Sequence, residues 1–247
     1  MRKGALQLNR QFFWISLFAV SMAFFESAIV IYIRELYYPE GFGFPLRHID
    51  PHIAVTELIR EFFSLVMIIS VAAMTTRNFM QRFAHFLYVF AIWDIFYYIF
   101  LKLVLGWPAS LLTWDVLFLI PVTWSGPVLT PILISLIMIG FALLIRFFNH
   151  QSGYTFYLEP REWVILLAGA VVVFIAFIWD FTRYIFVHID RQMVGKPEVL
   201  SESLQKLSYQ YEPIAFNWWV FGLGVLLLLS CLAMIYRRNK KMYAPHG

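Results

Sequence analysis

An all-α, polytopic transmembrane bundle of six spans follows from three observations: the composition, the length of the apolar segments and the placement of the basic residues. Of the 247 residues 61% are hydrophobic and only 14% charged, with a mean hydropathy of +0.72. Soluble domains lie nearer half apolar and a quarter charged. Six segments, 11–33, 53–76, 83–105, 124–148, 162–187 and 214–236, each hold about 20 or more mainly apolar residues, the length that a hydrocarbon core of about 30 Å requires. A single membrane domain over 1–247 accommodates them. The basic residues then set the direction. With the N-terminus inside, the inner segments carry Arg2, Lys3, Arg10, Arg77, Arg82, Arg146, Arg161, Arg237, Arg238, Lys240 and Lys241, and the outer ones Arg34, Arg47, Lys102, Arg191, Lys196 and Lys206. Eleven against six puts both termini in the cytoplasm.

The first span opens like a signal peptide, with MRKGALQLNR before QFFWISLFAVSMAFF. Its apolar run continues to Ile33, broken only by Glu26, and no small-x-small site closes it; it is expected to stay as a helix. The segment YYPEGFGFPLRHIDP is rich in Gly, Pro and aromatics and is expected on the membrane surface. Asp50 and Pro51 mark the start of the second helix, Asp as a cap and Pro in the first turn. SLLTWDVLFLI is too short to span and reads as an interfacial or re-entrant half-helix, with Trp107, Trp114 and Trp124 at the interface. The prolines and glycine of PVTWSGPVLTP break the start of the fourth span. An amphipathic helix is expected around PEVLSESLQKLSYQY, in the outer loop 189–213. The Gly-x-Gly of VFGLGVLLLL permits close packing in the last span.

Carboxylates inside such helices call for explanation. Trp93, Asp94 and Tyr98 in IWDIFYYIF are matched by Trp179, Asp180 and Tyr184 in IWDFTRYIF. Two parallel hairpins, spans three-four and five-six, would account for the match; the first span, with Phe25, Glu26 and Tyr32, fits more loosely. Glu26, Asp94 and Asp180 lie about 12 to 17 Å below the outer ends of their helices. Glu57, Arg60, Glu61 and Ser64 share one face of the second helix. A charge at that depth costs several kcal/mol, so such groups face the bundle interior and pair. Two readings follow. One is an outward-opening acidic site for a cation, proton or metal, formed by Glu26, Glu61, Asp94 and Asp180, with Arg60, Tyr98 and Tyr184 as partners and Asp115 as a lid. The other is internal pairing: Glu61 or Asp94 with Arg60, Asp180 with Arg183 or Lys102. Glu57, near the surface, reads as a solvated acid.

Other chemistry finds little support. One cysteine, Cys231, makes no disulfide within the chain and no cysteine-based metal centre. The histidines, His48, His52, His85, His150, His188 and His246, offer no pair at matching depth for a bis-His haem. There is no HExxH, no Gly-x-Ser-x-Gly and no P-loop. The net charge of +4 is explained by topology and is no nucleic-acid signal. ELYYPEGF, WDIFYYIFLKLVLGWP and TWDVLFLIPVTWSGPV resemble a family of bacterial six-span inner-membrane proteins known without an activity. The resemblance covers most of the first 135 residues and implies an inner-membrane location, with no catalytic residue to carry over.

The expectation is a pocket that binds or transports a cation or proton-coupled small solute. Alternatives are an intramembrane metal-dependent or redox enzyme, with Glu26, Glu61, Asp94 and His52 as hard ligands, and an accessory subunit packed in a larger membrane complex or a homo-oligomer. No cofactor is assigned by the sequence.

Overall fold

The computed structural model describes residues 2–149, 156–189 and 197–243. Seven helices and one hairpin follow in order: α1 (Arg2–Tyr37), α2 (Pro51–Thr75), α3 (Phe79–Leu105), β1 (Trp114–Phe118), β2 (Trp124–Pro127), α4 (Leu129–Asn149), α5 (Pro160–His188), α6 (Pro197–Tyr209) and α7 (Trp218–Tyr243). All but α6 are long and apolar enough to cross a membrane. The chain is therefore a multi-pass membrane protein of mainly helical fold, and the bilayer is its solvent. His150, Arg191, Lys196 and His246 lie outside the described residues.

Local chemistry explains the helix ends. Asp50 caps α2, accepting from the His52 backbone N–H at 2.9 Å, with Pro51 in the first turn as the sequence led one to expect. Asn78 does the same for α3 through Gln81 N–H at 3.0 Å. Gly106 ends α3 in the left-handed region, φ +67°, its N–H returning to the Lys102 carbonyl.

Contacts order the helices by depth. At one face of the bundle Gln11 donates to the Thr75 carbonyl, Thr75 meets His85, and Arg238 grips Glu162. The opposite face carries residues 38–50, the hairpin and α6; it is called the hairpin face below. Two apolar cores fill the bundle. One joins Ile15, Ala19 and Met22 of α1 to Ile68 of α2 and Val89 and Trp93 of α3. The larger joins Phe141 and Ile145 of α4, Leu166, Val173 and Phe177 of α5, and Phe221, Leu228 and Ile235 of α7. Helices α5 and α7 come together where Gly224 faces Val173: a Cβ on Gly224 would stand 2.6 Å from Val173 Cγ2 and 3.0 Å from Val173 N. Gly222, its neighbour in the Gly-x-Gly, faces open space, so only one of the two glycines is needed for the approach.

Two expectations are corrected. The segment around Trp114–Phe118 is no half-helix but the first strand of an antiparallel hairpin, with Asp115 opposite Gly126 and Val116 opposite Ser125. An aromatic and β-branched run of five residues, Trp-Asp-Val-Leu-Phe, fits a strand better than a helix turn. The fourth span consequently starts at Leu129, after the hairpin, rather than at 124.

Candidate functional site

The hairpin is held at the mouth of the bundle by buried polar groups from four directions. Arg34, near the end of α1, pairs with Asp115 at 3.0 Å, and Asp115 is 1% exposed. The Arg34 guanidinium lies over Phe42 at 4.1 Å and over Trp107 at 3.8 Å, a cation–π contact on two rings. Tyr98 of α3 donates to the other Asp115 oxygen at 3.2 Å. Burial pushes the Asp115 carboxyl above its usual range, and the Arg34 charge and Tyr98 hydroxyl hold it back. From α2, Glu61 accepts from the Leu119 backbone N–H at 2.9 Å. From the α5 side, Tyr211 donates to Asp180 and therefore accepts from Ser125 of β2, both at 2.8 Å. Burial raises the Tyr211 hydroxyl well above its usual range, so it remains a donor.

Beneath the hairpin lies a cavity of about 780 Å³, within the size range of small-molecule sites, roughly 300–1,000 Å³. Its polar residues gather at the hairpin end. Glu26, Glu57, Glu61, Asp94 and Asp115 line it together with Arg34, Arg47 and Arg60. Arg60 forms ion pairs with Glu26 and, at 2.7 Å, with Glu57; Ser64 donates to Glu26 at 3.0 Å. The shared face of Glu57, Arg60, Glu61 and Ser64 is thus used as a unit. Asp94 accepts from Ser135 of α4 at 2.8 Å. Neither Asp94 nor Glu61 has an ion-pair partner among the described residues. Below Asp94 the walls turn aromatic and aliphatic, with Phe83, Phe86, Phe90, Trp163 and Phe174.

The structure therefore brings together Glu26, Arg60, Glu61, Asp94, Tyr98 and Asp115. Asp115 belongs to the cluster as a fixed strand residue rather than a lid on a half-helix. Asp180 and Tyr184 stay apart from it. Asp180 turns toward the segment leading into α7, where Tyr211 and the Ile214 N–H, at 3.1 Å, satisfy it. Tyr184 donates to the Gln210 carbonyl at 3.1 Å. The matched Ile-Trp-Asp motifs also diverge, since Trp93 is 6% exposed and Trp179 45%. The expected internal pairs do not form either. Arg60 takes Glu26 and Glu57 instead of Glu61 or Asp94, and Lys102 donates to the Gly106 and Pro108 carbonyls. Glu57 is bonded to Arg60 on the cavity wall rather than solvated. Trp107 and Trp124 serve the site, one stacked on Arg34 and the other on the cavity wall.

Sequence reasoning passed over Arg34, Ser135 and Tyr211. For Arg34 a signal exists: Glu26, Val30, Ile33 and Arg34 follow the i, i+4, i+7, i+8 spacing of one helical stripe, and all four line the cavity. Ser135 and Tyr211 lie in ordinary contexts that spacing does not single out.

His52 sits exposed at the start of α2, and among the described residues no three His, Cys, Asp or Glu stand close enough to hold a metal ion. The metal set Glu26, Glu61, Asp94 and His52 is therefore not assembled. Comparison with protein-family models, with curated proteins and with solved structures finds no match.

Proposed function

We propose that the cavity has a binding or transport role for a cationic or proton-coupled small solute, with Asp94 as the principal ligand and Glu61 beside it. The observation that carries this reading is the charge balance of the wall. Five carboxylates meet three guanidiniums, and each guanidinium is engaged elsewhere, Arg34 with Asp115, Arg60 with Glu26 and Glu57, and Arg47 with Glu40 at 3.8 Å, outside the wall. Asp94 and Glu61 are left with hydrogen bonds and no ion pair, though the Arg60 charge acts on Glu61 through space. Buried carboxylates in that position either take up protons or accept a positive guest. A site that alternates between the two is the chemical basis of proton-coupled binding.

Infrared difference spectra of the protein in nanodiscs, taken on adding ethylammonium, test the assignment. The expected result is a perturbed carboxyl band that disappears in Asp94→Asn. An identical spectrum from the variant would rule Asp94 out as the ligand.

We further propose a bacterial inner-membrane location with the hairpin face outward and both termini cytoplasmic. The support is the excess of Lys and Arg in the segments on the termini side. A reporter fused after Gly247 that is active only in the cytoplasm should be active; activity of a periplasm-only reporter there would reverse the topology.

A further inference from the structure

The geometry points to a long-chain amine that enters sideways from the bilayer, between α2 and α5, and places its ammonium at Asp94 and Glu61. This rests on the cationic-site reading above and names its substrate class.

Three observations lead to it. First, the cavity is amphiphilic along its length. On α3 its lining continues from Asp94 to Phe83, a rise of about 16 Å at 1.5 Å per residue, and below Asp94 that helix contributes only apolar and aromatic side chains. A small hydrated cation gains nothing from such a shaft, whereas an alkyl chain fills it. Second, the cavity is open at the side. Leu58 of α2 and Leu167 and Ala170 of α5 line it and are also exposed, Leu167 by 57%. These positions lie within spanning helices, so the surroundings they meet are lipid chains. At the hairpin face the Tyr209 hydroxyl of α6 donates to the Ile49 carbonyl at 3.3 Å, and Arg47 and Gln205, which also line the cavity, are exposed there. Third, the wall holds unused polar capacity. Asp94 and Glu61 have no ion-pair partner among the described residues. Lipid tails alone would leave both carboxylates unmatched. A charged head on an apolar chain matches the carboxylates and the shaft together.

Tritiated tetradecylamine, ethylamine and tetradecanol are the probes, measured on nanodiscs carrying the full chain against empty nanodiscs. Tetradecylamine is expected to bind saturably, and Asp94→Asn to weaken it by about tenfold or more. Ala170→Trp, a substitution at an exposed position on the open side, is expected to weaken tetradecylamine by a similar factor without affecting ethylamine. Unchanged tetradecylamine binding in Ala170→Trp would overturn the lateral route. Tetradecanol binding as tightly as the amine would overturn the role of the ammonium. Asp94-dependent ethylamine binding as tight as that of tetradecylamine would overturn the long-chain inference and leave the cationic site standing. Binding of neither amine would remove both readings.

Discussion

Arg34→Leu is expected to destabilise the fold by about 3–5 kcal/mol, the range for removing one member of a buried ion pair. Arg34 and Asp115 are 6% and 1% exposed, so the carboxylate left behind is a buried charge without its counterion. Loss of the guanidinium also empties the space between Phe42 and Trp107, which loosens residues 38–50 from the hairpin. The deficit should depend on pH. Burial already raises the Asp115 carboxyl and Arg34 restrains it, so the variant raises it further. An acid whose folded-state value lies above its unfolded value of about 3.9 binds more protons when folded than when unfolded between the two values. Its folded state therefore loses stability as pH rises through that window. The Arg34→Leu deficit should be smaller near pH ~5 than near pH ~8. Thermal unfolding in nanodiscs at the two pH values measures it. A deficit that grows on acidification would contradict the assigned pairing.

Gly224→Leu is expected to cost about 1–3 kcal/mol or more through overpacking. The new Cβ would meet Val173 N at 3.0 Å and the Gly169 carbonyl at 3.2 Å, and backbone cannot move aside as a side-chain tip can. Helices α5 and α7 must separate, and Phe177 and Leu228, which pack in the same core, lose their contacts. Gly222→Leu is the control, since nothing stands within 4 Å of a Cβ there. Equal melting of the two variants would show that the α5–α7 approach does not depend on Gly224.

The spans were legible because hydropathy over about 20 residues is a one-dimensional signal, and the α2 start because Asp50-Pro51 carries its own local chemistry. The hairpin was not. Its strands are five and four residues long, too short for periodicity to separate strand from half-helix. Depth grouped Glu26 with Asp94, and both line the cavity, but depth also grouped Asp180 with them. Its exclusion depends on where the segment before α7 crosses, a tertiary fact that no spacing along α5 encodes. Charge partners were harder still. Arg60 lies one residue from Glu61 in the chain yet pairs with Glu26 on another helix, because a residue and its sequence neighbour point in different directions on a helix. The cavity itself is a space enclosed by the hairpin and by residues of every helix from α1 to α7, and such a space has no sequence of its own.

Under this proposal the hairpin and the surrounding helices enclose one side-opening cavity whose carboxylates outside ion pairs receive a charged guest. An experimental structure of the protein in nanodiscs loaded with tetradecylamine measures this directly. Elongated density is expected beneath the hairpin, its polar end within hydrogen-bond distance of Asp94 and its tail passing Phe90 toward Phe83. Helix α5 packed directly against α2 along the cavity, with no space left between them, would contradict it.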